Sequence, residues 1–357
     1  MELRPYQIDA VKSTFQGWES GYDSVLLVLA TGLGKSVIAT EIIRLANRPT
    51  LVLAHRHELI NQLIQHTKGL PVTVKTIQSV ARNIDSGIGV IDPDNYPLLV
   101  IDEAHHAVSP QYLKVIKHFP KARVLGITAT PRRADRKALR KVFKHVAYTY
   151  ETRQAIADGW LTPILPERAR TLPAYLTLVG ERKTIIFTPT VKAAKLTAER
   201  LLESDKRAMW IAGSMPQSTR QPILKAFAQG DLQFLVNCNL LTEGYDCPDI
   251  KCVTLLREVG SKLLFQQILG RGLRLADGKE NCLLVNLSPK ALCLKCQLKP
   301  TAAPLAGIMV PNPPEYKSSL PNPPVPAPPA TARTMKIALR ETRIQRVARW
   351  ILRFLQT

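Results

Sequence analysis

Residues 24–36 constrain this chain more than any other stretch. Val25 to Ala30 is an unbroken apolar run, the composition of a parallel strand buried on both faces. It ends in Thr31-Gly32-Leu33-Gly34-Lys35-Ser36, after which Val37, Ile38, Ile42, Ile43 and Leu45 recur at helical spacing. A strand, a glycine loop and a helix in that order build an anion site, because glycines let backbone N–H groups turn toward the anion and the helix N-terminus adds partial positive charge. In such a site Lys35 reaches the β- and γ-phosphates of a nucleotide and the Ser36 hydroxyl ligates Mg²⁺. The strict pattern G-x-x-x-x-G-K-[ST] asks for glycine where this chain has Leu29. On these residues alone, the loop is either a nucleotide site or a glycine turn inside a βαβ unit.

With 357 residues the chain has room for about two domains and a tail. The excess of 49 basic over 28 acidic residues, a formal charge of +21, points to a polyanionic partner, nucleic acid above all. No apolar run approaches the length of a membrane span. The N-terminal residues lack the charged and apolar regions of a signal peptide, so a cytoplasmic protein is expected. All six cysteines follow residue 230, and four of them (Cys238, Cys247, Cys252 and Cys282) sit in or beside apolar runs, which suits buried, reduced thiols. Cys293 and Cys296 have half of a zinc-binding spacing, but no histidine or further cysteine follows them, so zinc is not expected.

Strands and helices alternate along the chain. An amphipathic helix carrying Ile8, Val11, Phe15 and Trp18 precedes the phosphate loop, Thr50 to Ala54 is the next apolar strand, and a helix is expected from His55 onward. Val72 to Ile77 alternates as a strand ending in Gln78-Ser79; Leu98 to Ile101 delivers Asp102-Glu103-Ala104-His105; Val124 to Thr128 leads into Ala129-Thr130-Pro131. The pattern predicts a doubly wound parallel sheet whose loops converge at the strands' C-terminal ends. There Asp102 can hold Mg²⁺ and Glu103 can orient or deprotonate an attacking water; the plainer reading of the pair is a helix N-cap and a first-turn acid. A second alternating unit begins near residue 181, with strands at 184–188, 208–212, 233–238, 252–256 and 281–287 and no phosphate loop of its own. Arg271 and Arg274, three apart, are expected on one helical face, either as a solvated surface or as arginine fingers on an ATP held by the first unit. Eleven prolines between residues 300 and 330 predict an extended linker. Residues 333–355 carry seven basic residues and one acid in an amphipathic pattern, a helix that can meet nucleic acid, an acidic membrane surface, a protein groove or the body of the chain.

Taken together in this order, the motifs over residues 1–289 resemble those of superfamily 2 helicases and translocases of the DEAD/DEAH group. Arg4-Pro5-Tyr6-Gln7 resembles the adenine-reading element, Thr31 to Ser36 motif I, and Asp102-Glu103-Ala104-His105 the DEAH box. Thr128-Ala129-Thr130 resembles the element coupling ATP state to the nucleic-acid cleft, and Gln267-x-x-Gly270-Arg271-x-x-Arg274 resembles motif VI. Residues 76–83, 128–135 and 266–275 are similar in phrasing to bacterial RadD-type repair proteins and restriction-enzyme motors. His105 and Gln267 stand where the RNA-unwinding DEAD-box branch has Asp and His, which tilts the resemblance toward DNA.

The resemblance implies an α/β architecture of two RecA-like domains, each a mostly parallel sheet flanked by helices, with a proline-rich C-terminal tail. Its boundaries fall at 1–165 for the ATP-binding domain, 166–289 for the second motor domain, 290–332 for the linker and 333–357 for the basic helix. It implies an ATP hydrolase acting as a DNA helicase or translocase in repair or recombination, with an ATP-gated DNA-loading module or an RNA helicase as alternatives. Its catalytic set is Lys35, Asp102, Glu103, Gln267, Arg271 and Arg274. ATP would be held by Arg4, Gln7, Thr31, Gly32, Leu33, Gly34, Lys35, Ser36 and Asp246, with Mg²⁺ on Ser36 and Asp102. Nucleic acid would meet His55, Arg56, Thr76, Gln78, Ser79, Thr188, Thr242, Glu243 and Gly244, with Thr128 and Thr130 coupling the two; a protein partner could use the tail. The chain departs from the family in short stretches between His57 and Gln78 and between Pro163 and Thr184, and in lacking a cysteine-rich extension.

Overall fold

The computed structural model describes residues 3–54, 64, 67–129, 139–241 and 245–287. Within them the apolar runs form two six-stranded sheets. The first holds β1 (Ser24–Leu29), β2 (Thr50–Ala54), β3 (Val72–Thr76), β4 (Leu98–Asp102), β5 (Arg123–Thr128) and β6 (His145–Tyr150), in the order β3-β2-β4-β5-β1-β6. The second holds β7 (Ile164–Glu167), β8 (Thr184–Phe187), β9 (Ala208–Ala212), β10 (Phe234–Cys238), β11 (Cys252–Leu255) and β12 (Cys282–Asn286), in the order β7-β12-β11-β8-β10-β9. Every pairing in both is parallel.

Parallel neighbours need crossovers, and helices supply them. Around the first sheet lie α1 (Pro5–Glu19), α2 (Lys35–Ala46), α3 (Ile77–Ser86), α4 (Pro110–His118) and α5 (Thr152–Ala157); around the second lie α6 (Leu172–Val179), α7 (Val191–Glu203), α8 (Gln217–Gln229) and α9 (Lys262–Leu269). Helices on both faces explain why all six residues of β1 are buried, each large side chain contributing roughly 1.5–3 kcal/mol by leaving water. One cluster of buried apolar side chains runs through both sheets, joining Leu29 and Leu33 to Leu161, Leu269 and Leu273. Each sheet has a second core on its other face, one around Leu99, Tyr112 and Phe143 and one around Tyr175, Val236 and Leu283.

Three stretches differ from the pattern read off the chain. β3 stops at Thr76, whose hydroxyl accepts from the Ser79 N–H and caps α3, so Ile77, Gln78 and Ser79 open a helix and do not end a strand. β6 carries an alternation too weak to stand out, because it is an edge strand with only Tyr150 fully buried. The seemingly abbreviated stretch from Pro163 to Thr184 contains both β7 and α6. The strand Ile-Leu-Pro-Glu tolerates Pro166 because it lies at the sheet edge. The α6 helix is capped by Thr171, which accepts from the Ala174 N–H.

Candidate active site

Parallel strands end on one side of a sheet, and the register sets which ends are neighbours. β5 runs between β4 and β1, pairing Ile127 with Asp102 and Thr128 with Val28. Thr128 therefore sits between the strand carrying the phosphate loop and the strand carrying the acidic pair.

The loop itself is shaped by glycine. Gly32 has φ +96° and Gly34 φ +71°, left-handed conformations that a side chain would strain. Gly34 precedes Lys35, the first residue of α2. A Cβ on Gly34 would lie 2.8 Å from Gln7 Nε2. From below, α1 braces the loop: the Tyr6 hydroxyl and the Gln7 amide both donate to the Leu33 carbonyl, at 3.0 and 3.2 Å, and the Arg4 N–H donates to Gln7 Oε1 at 2.9 Å. Gln7, expected against adenine, thus spends its carbonyl on capping α1 and one amide hydrogen on bracing the loop. Tyr6 stacks on Tyr150 with ring centres 4.8 Å apart, and Trp160 meets Tyr6 edge-on at 5.7 Å with the Arg4 guanidinium 5.3 Å from its own ring. Leu29 is fully buried in the core; as the last residue of β1 it precedes the turn, which removes the need for glycine there.

The acidic pair follows β4. Asp102 accepts the Glu103 N–H at 2.9 Å. The pair is not the N-cap and first-turn acid of the plainer reading: Glu103 itself stands at the cap position of the short turn 104–106 but makes no side-chain capping bond, and its backbone is left-handed at φ +49°, a conformation costing about 1 kcal/mol outside glycine. Its carboxylate lies 3.3 Å from His105 Nδ1, which is also 3.2 Å from the Thr128 hydroxyl. Burial pushes the Glu103 carboxyl up, but the His105 hydrogen bond and the positive charges of Lys35, His105 and Arg271 outweigh it and hold the group down at about 2. Lys35 belongs to the first sheet's loop and Arg271 follows the second sheet's last helix, so one carboxylate feels cations from both.

The arginines are not on a helical face. α9 ends at Leu269, and Gly270 caps it, leaving Arg271 and Arg274 in the turn beyond. Glycine is required in that turn: a Cβ on Gly270 would fall 2.4 Å from Thr31, and one on Gly272 2.3 Å from Cys282 Sγ. Only a glycine-bearing turn fits between the phosphate loop and the second sheet. Arg271 is buried and donates to the carbonyls of Gln267 and Tyr245. Arg274 pairs with Asp246, and its Cγ lies 3.4 Å from the position of a Cβ on Gly32. Gln267 is buried beside them.

The fit to a nucleoside triphosphate rests on three observations. Two left-handed glycines open the loop backbone, Lys35 starts the helix behind it, and the buried Thr31 hydroxyl has no hydrogen-bond partner among the described residues. Among those residues no three histidine, cysteine, aspartate or glutamate side chains cluster as a metal site. An ion on Ser36 and Asp102 would take its remaining ligands from phosphate and water.

The nucleic-acid candidates are more scattered. Thr76 is buried and occupied as a helix cap, while Gln78 and Ser79 are half-buried on α3. Thr188 is fully buried, its hydroxyl within donating distance of the Thr190 and Asn237 carbonyls. His55, Arg56, Thr130, Thr242, Glu243 and Gly244 lie outside the described residues, as do Cys293, Cys296, the proline-rich stretch and the basic tail. The four remaining cysteines are buried and free. Thr162, Trp160 and Lys279, which touch the site's framework, were missed in the sequence, where each is a single residue in a loop with no spacing to mark it.

Comparison with known proteins adds to this geometry. Residues 167–276 match the family model of the helicase conserved C-terminal domain, and residues 1–70 and 64–133 match that of the type III restriction enzyme res subunit. The protein irc3 of Schizosaccharomyces pombe, named as a mitochondrial ATP-dependent helicase, is 30% identical over 90% of this chain and 63% of its own length. The chain thus spans less than two thirds of that relative. Among solved structures, an HsdR fragment of a type I restriction enzyme from Vibrio vulnificus YJ016 superposes with a TM-score of 0.65 at 24% identity, over 80% of this chain and 64% of that one. The type ISP restriction-modification enzyme LlaBIII, bound to DNA, does so at 0.64 and 16% identity, over 80% of this chain and 27% of that one. The two α/β units are RecA-like in fold.

Proposed function

The chain belongs to superfamily 2 of the helicases and translocases, and from that membership we propose that it is a nucleic-acid-stimulated ATPase working as a DNA helicase or translocase. The observation that carries the reading is the Glu103 carboxylate, which sits under the positive charge of Lys35 from one sheet and Arg271 from the other. A site assembled that way is complete only when the two units are together.

Mg-ATP, when bound, supplies a phosphoryl group whose transfer to water is strongly favourable. Lys35 and the loop N–H groups would bind its phosphates, and Ser36 and Asp102 would hold the ion. Glu103, held down by the positive charges of Lys35, His105 and Arg271, is ionised at neutral pH and stands ready to orient or deprotonate the attacking water. His105 fixes the carboxylate and touches Thr128, which passes the state of the site toward the segment after β5. Arg271 and Arg274 neutralise charge that develops on the transferred group. Nucleic acid gripped across residues 1–165 and 166–289 favours the closed arrangement, and release after hydrolysis moves the units along the strand. The formal charge of +21 favours a nucleic-acid track, and His105 and Gln267, standing where the RNA-unwinding branch has Asp and His, favour DNA.

The decisive experiment titrates ATP hydrolysis separately with single-stranded DNA, duplex DNA and RNA at stated salt. DNA is expected to raise the rate most; no stimulation by any of the three would overturn the reading. Strand displacement beside triplex displacement then separates a helicase from a translocase. A role in repair or recombination is tested by sensitivity of a deletion strain to DNA damage. No helix among the described residues is long and apolar enough to cross a membrane. The name of irc3 sets that relative in the mitochondrion, and imaging a tagged chain against a mitochondrial marker tests whether this one is there or in the cytoplasm.

A further inference from the structure

Lys279 has no part in the mechanism above, yet its side chain is tied directly to the framework of the arginine turn. The residue is 8% exposed, and its ammonium donates to the Arg274 carbonyl at 2.7 Å and to the Pro248 carbonyl at 2.8 Å. The same Arg274 carbonyl accepts the Thr162 hydroxyl at 3.0 Å, and the Thr162 N–H donates to the Leu273 carbonyl at 2.8 Å. Arg274's side chain pairs with Asp246, two residues before Pro248, and Arg271 donates to the Tyr245 carbonyl. One ammonium therefore joins the stretch that holds both guanidinium groups, 245–248, to the stretch that bears them, 271–274.

Thr162 ties this knot to the nucleotide side. It follows Trp160, which packs on Tyr6, and Leu161, whose methyl lies 3.2 Å from where a side chain on Gly32 would begin. Burying an ammonium is costly: burial pushes Lys279 down to about 8, against the opposing influence of Cys282, Asp249 and Cys247 and with Arg274 adding to the shift. A lysine at this point is explained by what a single nitrogen with three donors can do, bonding two carbonyls at once.

We propose that Lys279, with Thr162, is a positioning residue for the arginine pair: it clamps the Arg274 backbone to the 245–248 stretch, so that Arg271 and Arg274 enter the nucleotide site as one unit. The proposal rests on the ATPase reading, and its test separates the two. Lys279→Met should lower kcat about 10²-fold through misplacement of the arginines, with Mg-ATP affinity within about threefold of the parent chain. In a background carrying both Arg271→Ala and Arg274→Ala, the same substitution should change kcat little further. Fully additive effects there would overturn the clamp, because a general loss of packing acts whether or not the arginine pair is present. Should Lys279→Met not fold, Thr162→Val removes one bond to the same carbonyl while keeping the side chain's shape, and the same cycle is run with it. Hydrogen exchange gives a readout independent of turnover: the variant should speed exchange in 245–250 and 270–276 and leave the core of α2 unchanged. If the parent chain hydrolyses no ATP, the functional reading falls, and the exchange result alone upholds or overturns the clamp.

Discussion

The two sheets present their strand ends to the same site in different ways. The first does so with backbone: left-handed Gly32 and Gly34, the start of α2 at Lys35, and the strand end at Asp102. The second does so with long side chains anchored to carbonyls, Arg271 on Tyr245 and the Arg274 backbone on Thr162 and Lys279. A backbone-built half takes its shape from the chain itself, from the left-handed glycines and the strand ends. A side-chain half has its geometry set by neighbours that can shift with the second sheet. Ground-state binding should therefore belong to the first half and rate acceleration to the second.

The sharpest way to break this division is Arg271→Ala. Kcat should fall about 10³-fold or more, as for other arginine fingers, while equilibrium binding of a fluorescent Mg-ATP analogue stays near that of the parent chain. Lys35→Ala should do the reverse and lose binding first; equal losses of affinity in the two variants would sink the contrast.

Glu103→Gln stands between the halves and should cost roughly 10²-fold or more in kcat with binding kept. The same group also gives a stability signature. Its folded carboxyl lies at about 2, below the ordinary value of 4.5, so it contributes stability that is present above 4.5 and lost as pH falls from 4.5 toward 2. Acid denaturation of Glu103→Gln should be less steep than that of the parent chain across that window, and identical curves would contradict the assigned electrostatics.

The smallest effect concerns the seam. Gly270→Ala puts a methyl 2.4 Å from Thr31, and overpacking of this kind costs about 1–3 kcal/mol. Thermal unfolding should move down by several degrees if the two units meet there in solution, and an unchanged midpoint would mean that they do not.

What was legible in the chain follows the same division. The apolar runs, the glycine loop and the acidic pair are contiguous features with fixed spacing, so the fold, and the geometry of the candidate phosphate site, could be read from residues 24–36 and 98–105. The arginine turn was legible as a motif, but its conformation was not. Helical spacing suggested a shared face, whereas the helix ends at Leu269 and gives way to a turn whose glycines have no room for a Cβ beside residues 31 and 282, and no local pattern encodes partners that distant. Thr162 and Lys279 were invisible for the same reason, each bonding a carbonyl that any residue could offer. The edge strands β6 and β7 escaped because strands half in water need little apolar alternation.

The Leu33 carbonyl, which receives both Tyr6 and Gln7, has a consequence for the sign of the charge the loop can accept. A trans peptide is planar and sets its C=O and following N–H in opposite directions. Holding the Leu33 oxygen against α1 therefore sends the Gly34 N–H away from that helix. Were this one peptide to flip, the loop would offer an oxygen where it now offers a hydrogen, and would repel the anion it is shaped to receive. The preference for anions over cations that the proposed function requires would thus be held in part by two side chains on a helix that precedes the loop, and Tyr6→Phe with Gln7→Leu would weaken it without altering a single loop residue.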